Sequence, residues 1–187
     1  MNESLFTGRL VRLAALNPET ESELFAQWDR DSEFARQLNG NARPLATAKK
    51  IKAYIEKELA KPSGEIQFSI HTLADDRPIG FVALDPPDWQ HGDAFVGIGI
   101  GERDYWSSGY GSDALRVLLR YAFTELNLQR VSLNVFEYNE RAFKSYLKVG
   151  FVVEGRQRGM LRRDGRRWDF ICMGILREEW NALTNES

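Results

Sequence analysis

The segment Tyr105-Trp106-Ser107-Ser108-Gly109-Tyr110-Gly111-Ser112 joins an apolar, strand-like run to a strongly periodic one. Its two glycines let backbone amides converge without side chains in the way. A helix opening here presents unsatisfied N–H groups and a partial positive charge, enough to hold a phosphate without a lysine. Ser107, Ser108, Gly109, Tyr110, Gly111 and Ser112 are therefore candidates for binding a pyrophosphate. A tight strand-to-helix connection with no ligand would use the same spacing. No Gly-Lys-Ser/Thr follows, as a nucleoside triphosphate loop requires, and the third glycine of a dinucleotide fingerprint is missing.

Downstream, Ala114, Leu115, Leu118, Leu119, Ala122, Phe123 and Leu126 recur at helical spacing and predict a helix from Asp113 to Asn127. Val131 to Phe136 reads as a strand, Asn139 to Lys148 as a helix, and Gly150 as its stop before a strand at Phe151. On that second helix Asn139, Ala142 and Tyr146 share a face, with Phe143 beside them. The small alanine leaves a shallow groove from the asparagine amide to the phenol, although ordinary core packing produces the same stripe. A hairpin around Asp164-Gly165 and a strand from Trp168 to Leu176 finish the chain.

Upstream, Phe95 to Gly101 is a strand whose Gly97, Gly99 and Gly101 suggest a bulge or a close approach of backbone to something else. Ile66 to Thr72 and Ile79 to Leu84 form a hairpin about Asp75-Asp76-Arg77. Two helices precede it. One opens at Asn17-Pro18, and the other runs from Thr47 to Leu59 with Ile51, Tyr54, Ile55 and Leu59 on one face and Pro62 and Gly64 beyond its end. Leu10, Val11 and Leu13 make a short first strand. No repeat or linker interrupts the chain, so residues 1–187 are expected to be one domain.

At 187 residues and 43% hydrophobic composition, the chain can bury a sizeable core. Twenty-five basic and 27 acidic residues give a net charge of -2, without the global excess expected of a nucleic-acid or anionic-membrane binder. The single cysteine, Cys172, excludes an internal disulfide, and its neighbours Phe170, Ile171 and Met173 suggest a buried packing residue. Two histidines, His71 and His91, are too few to build a zinc set, so no metal is expected. Neither a signal peptide nor a membrane-spanning run is evident, and a cytoplasmic location is expected.

Several of these segments match in register. Gly8-Arg9-Leu10-Val11-Arg12-Leu13, the Tyr105 to Gly111 loop, Asn139 to Phe151, Glu154-Gly155, Asp164-Gly165 and Arg177-Glu178-Glu179-Trp180 together resemble the GNAT superfamily of acyltransferases. The resemblance is closest to its ribosomal-protein N-terminal acetyltransferase (RimJ/RimL-type) branch. Trp106 departs from the Arg or Gln with which many members begin the loop, and fits that narrower branch.

The resemblance implies an α/β (α+β) fold, with a central mixed, mostly antiparallel, splayed sheet flanked by helices. It implies acetyl-CoA as cosubstrate and an amine acceptor on a protein N-terminus or a small molecule; a homodimer is expected only as the general default for assemblies. By the same resemblance, the strand carrying Ile98, Ile100, Gly101 and Glu102 would pair with pantetheine, and a backbone N–H near Ile100 would stabilise the oxyanion. The amine would attack directly, Tyr146 would protonate the departing thiolate, and Glu102, ahead of Asp93 and His91, is the first candidate for general base. An acyl-CoA-binding module without catalysis and a transferase of another acyl group are the alternatives. The acceptor pocket is expected from the two early helices and the Asp85 to Asp93 loop. Six arginines in one hairpin, Arg156, Arg158, Arg162, Arg163, Arg166 and Arg167, could attract an acidic peptide, contact the 3′-phosphate of CoA, or simply be solvated above Trp168 and Phe170.

Overall fold

The computed structural model describes residues 4–42, 44–61 and 64–185. In chain order these form β1 (Val11–Ala15), α1 (Pro18–Asp29), α2 (Ser32–Leu38), α3 (Ala48–Leu59), β2 (Ile66–Thr72), β3 (Pro78–Leu84) and β4 (Asp93–Ile100). A short 3-10 turn (Arg103–Tyr105) leads to α4 (Tyr110–Thr124), β5 (Arg130–Phe136), α5 (Glu140–Val149), β6 (Val152–Arg163), β7 (Arg166–Leu176) and α6 (Arg177–Asn185). The strands make one seven-stranded sheet in the order β1-β2-β3-β4-β5-β7-β6. Every neighbouring pair is antiparallel except β4 and β5. No helix among the described residues is long and apolar enough to cross a membrane.

The periodicity of α4 becomes the centre of the core. Ala114, Leu115, Leu118, Leu119, Ala122 and Phe123 are buried and join one apolar cluster with Ile70, Ile79, Val131 and Ile175 of the sheet. At about 1.5–3 kcal/mol for each large side chain fully withdrawn from water, this stripe dominates the attachment of the helix. A polar bond fixes its position. The buried carboxylate of Asp113 accepts N–H bonds from Arg9 at 3.2 Å, Leu10 at 2.7 Å and Val11 at 3.1 Å, pinning the first turn of α4 to the start of β1.

The structure departs from the sequence reading in several places. Helix α2 was not anticipated: it has only seven residues and buries only Phe34, too little for a periodic pattern. Its start is set by Asp31, which caps the N–H groups of Glu33 and Phe34. Helix α6 extends the chain beyond the last strand, with Trp180 buried. On α3, Ile55 is buried while Tyr54 and Leu59 are exposed, so the expected four-residue face narrows; Pro62, beyond its end, lies outside the described residues. Cys172 is only partly buried, because β7 alternates and turns it away from the face that buries Ile171 and Met173.

The glycine-rich strand β4 pairs with β3 in unbroken register, without a bulge. Gly99 in this strand and Gly101 just beyond its end instead make room for aromatic rings. A Cβ at Gly99 would lie 3.0 Å from the Phe81 ring and 3.1 Å from that of Phe34, and one at Gly101 would lie 2.0 Å from Trp28.

Replacing Asp113 with alanine leaves three N–H groups at the β1–α4 junction without their acceptor. Stability should fall by about 3 kcal/mol, measured by urea unfolding.

Candidate active site

The parallel pair β4–β5 is in register only from Asp93 to Phe95 against Arg130 to Ser132. Beyond that the strands part. The direction in which the freed backbone points follows from the other edge of β4. Gly101 N–H donates to Ile79 C=O at 2.9 Å, on the β3 side. Strand alternation then turns the N–H and C=O groups of Ile98 and Ile100 towards the gap. The Ile100 carbonyl confirms this polarity, since it accepts a 2.6 Å bond from the Trp106 indole on the side away from β3. The result is a stretch of sheet edge inside the molecule with donors and acceptors to spare.

Across the gap stands the amino end of α4. The first intrahelical bond runs from Asp113 N–H to Gly109 C=O at 2.9 Å, leaving the N–H groups of Tyr110, Gly111 and Ser112 without helical partners. No side chain among the described residues caps them. Asp113, the one acid of this turn, is committed to β1. The approach to the helix is left-handed twice, at Ser107 (φ 60°) and Gly109 (φ 92°). Glycine adopts this conformation freely, whereas serine does so at a cost of about 1 kcal/mol. These reversals gather the amides at one point, an arrangement suited to an anion.

Helix α5 closes the third side. Asn139 is its N-cap: the side-chain carbonyl accepts from Ala142 N–H at 3.2 Å, and the amide nitrogen reaches the Gln37 carbonyl at 3.5 Å. Ser145 is bonded to Ser112 at 2.7 Å, which locks α5 against the first turn of α4. Tyr146 lies one residue on, its ring edge-on to Phe151. The phenol hydroxyl has no hydrogen-bond partner among the described residues, and desolvation pushes its pKa up to about 12. It is a neutral donor without an acceptor, facing a cleft.

That cleft has a volume of about 610 Å³. It is lined by Ile98, Ile100, Ser107, Gly109, Gly111, Ser112, Asn139, Ala142 and Tyr146, so nine of the residues selected from sequence meet there. Five do not line it. Tyr110 stacks edge-on against Tyr105, the Ser108 hydroxyl bonds to the Trp106 carbonyl, Phe143 packs on the core, and Gly101 lies against Trp28. Glu102 is fastened at both oxygens, by the Trp28 indole at 2.8 Å and the Arg77 guanidinium at 2.6 Å. Asp93 stands at the far, paired end of β4, beside a separate hollow that also contains Asp85 and Asp88. His91 lies in the exposed loop before it, its N–H held by Asp88.

Residues from α2 that the sequence did not single out, Phe34, Gln37 and Leu38, form the opposite wall. The capping pattern at Asp31 was the one signal that could have placed them. The Asp85 to Asp93 loop, expected to help build an acceptor pocket, does not line this cleft.

An unpaired strand edge, an uncapped helix start and an unpartnered phenol thus share one cleft. Residues 11–152 match the family model described as an acetyltransferase (GNAT) domain. The chain is 27% identical over 180 residues to an uncharacterized N-acetyltransferase, YokL, of Bacillus subtilis, covering 96% of this chain and 97% of the relative. It is 28% identical over 160 residues to the spermidine N(1)-acetyltransferase of Escherichia coli, covering 81% and 84%. The spermidine N-acetyltransferase of Vibrio cholerae, solved with CoA and spermine, superposes with a TM-score of 0.81 at 23% identity, covering 91% of this chain and 98% of that one. The chain belongs to the GNAT family and is an acetyl-CoA-dependent N-acetyltransferase.

Proposed function

We propose that the enzyme acetylates the α-amine of a protein or peptide N-terminus, in a ternary complex with acetyl-CoA and without an acyl-enzyme, as the RimJ/RimL-type resemblance implies. The observation that carries the chemistry is the shared cleft of the open Ile98–Ile100 edge and the Tyr146 phenol. In this reading the pantetheine amides pair along that edge and the Ile100 N–H polarises the thioester carbonyl. The neutral amine attacks the carbonyl carbon, a C–N bond forms, and the C–S bond breaks as Tyr146 passes its proton to sulfur. Transfer from a phenol at about 12 to a thiolate whose acid lies near 8.5 is uphill by about 5 kcal/mol when the thiolate is hydrated. The same desolvation that raises the phenol raises the proton affinity of a thiolate in that cleft, and narrows the gap.

Two features favour an α-amine. Glu140 is the one carboxylate among the described residues lining the cleft, and it lies 3.4 Å from Lys144. With Glu102 held by Trp28 and Arg77, we assign no side chain as base; water takes the proton of an amine near pKa 8 far more readily than that of one near 10.4. The second feature is charge. Arg163 bonds to the carbonyls of Asn39 and Gly40 beyond α2, which brings the arginine-rich β6–β7 hairpin beside the cleft wall. Arg166 stacks on Trp168, and Arg158 and Arg162 have no ion-pair partner among the described residues. This hairpin would repel a polycation and attract an acidic segment. A polyamine acceptor is the second reading, favoured by the spermidine-acetylating relative of Escherichia coli.

Incubating the enzyme with acetyl-CoA and a panel of acidic peptides, basic peptides, lysine derivatives and spermidine, read by mass spectrometry, should give the highest kcat/KM on an acidic peptide N-terminus. Faster acetylation of spermidine than of every peptide would replace this reading with the polyamine one. Tyr146→Phe should lower kcat about a hundredfold while leaving CoA affinity nearly unchanged; equal losses in both would count against proton donation.

The elevated phenol pKa also predicts a pH effect on stability. Because the folded value, about 12, exceeds the unfolded value near 10, the contribution is intact below about pH 10 and is lost as pH rises towards 12. The stability difference between wild type and Tyr146→Phe should therefore be flat up to that pH and shift above it.

A further inference from the structure

Helix α5 presents Arg141, Lys144 and Lys148 to the cleft, at positions i, i+3 and i+7. Of these, Lys144 is exposed and close to Glu140. Arg141 differs. It is partly buried, and desolvation lowers its pKa against the smaller opposing effect of Glu33. Yet it makes no ion pair among the described residues, because Glu33 is 2.9 Å from Arg103 instead. Its guanidinium carbon sits over the Trp106 ring, 3.7 Å from the centroid, and the group donates one hydrogen bond to the Gln37 side-chain carbonyl. Trp106 is in turn held by its indole bond to Ile100.

The result is a positioned, partly desolvated cation with most of its five donors unused, next to the loop that gathers the open amides of α4. A charge withdrawn from water without a counter-ion is costly, and the cost is offset when an anion arrives. We propose that Arg141 reads the pyrophosphate of acetyl-CoA, with Trp106 as its platform and Gln37 as its tether. This rests on the acetyl-CoA reading of the cleft. It assigns the phosphate-specific part of cosubstrate recognition to a side chain on α5, while the loop amides provide the shape of the site. A planar fork suits two phosphate oxygens better than a single ammonium does.

The test uses full-length wild type, Arg141→Ala, Arg141→Lys and Gln37→Ala, with calorimetry and steady-state kinetics on three donors. These are acetyl-CoA, acetyl-dephospho-CoA, which lacks the 3′-phosphate, and acetyl-pantetheine, which has no phosphate. Arg141→Ala should weaken acetyl-CoA and acetyl-dephospho-CoA alike, by about ten- to a hundredfold, and leave the KM for acetyl-pantetheine within about twofold. Arg141→Lys should recover only part of the loss, and that part should vanish at high salt.

Equal losses on all three donors, in Arg141→Ala as in Gln37→Ala, would mean that Arg141 merely holds α2 in place and would overturn the assignment. A greater loss on acetyl-CoA than on its dephospho form would move the contact to the 3′-phosphate and overturn it as well. Unchanged affinity in Arg141→Ala, with wild type binding normally, would sink this inference alone. Wild type that binds no CoA would sink the cosubstrate reading and this assignment with it.

Discussion

The separation of β4 from β5 after three residue pairs is the constraint on which the site depends. Backbone donors and acceptors inside a protein demand partners, and a strand that loses its neighbour part-way keeps its hydrogen-bonding edge without satisfying it. Along Ile98 and Ile100 that edge faces a cleft instead of solvent at the rim of the sheet. Only β4 and β5 run parallel, and a parallel pair needs a long crossover, here α4. The crossover begins across the gap that it spans. One topological choice thus supplies both the open edge and the helix start that confronts it.

Each wall of the cleft is held by bonds that face away from it. Asp113 binds the backbone of β1, so the amides of the α4 start are left free, and Ser112 and Ser145 clasp α4 to α5. Glu102 is better understood in the same way: between Trp28 and Arg77 it ties α1 to the end of β4. Those anchors let polar groups inside the cleft remain unpaired at modest cost. Charge is separated along the same lines, with carboxylates engaged in framework bonds and Arg141 left for the interior.

Much of this was legible in local sequence. The apolar repeat of α4, the turn at Ser107 to Gly111, the cap at Asn139 and the stop at Gly150 are encoded over spans of one to four helical turns, and the structure has them within a few residues of where periodicity put them. Residues such as Gly99 and Gly101 were legible only as exceptions. Their spacing showed that something approached the strand, but the approaching groups are Phe34, Phe81 and Trp28, distant in sequence and recognisable only once α1 and α2 are laid over the sheet. Helix α2 was invisible because seven residues with one buried side chain carry no period to detect.

The sequence by itself determined the strands and the longer internal helices, their order and the chemical types that could serve a thioester, since helix periodicity, capping and glycine conformation act between residues close in the chain. Tertiary structure decided which of those types meet. It left the Tyr146 hydroxyl without a hydrogen-bond partner among the described residues and withdrew it from water, engaged Glu102, and set Arg141 over Trp106 with no ion-pair partner among the described residues. Desolvation and ion pairing depend on what packs around a group in space, and neighbours 35 to 104 positions away, as for Arg141 with Trp106 and Gln37, leave no mark on the local pattern.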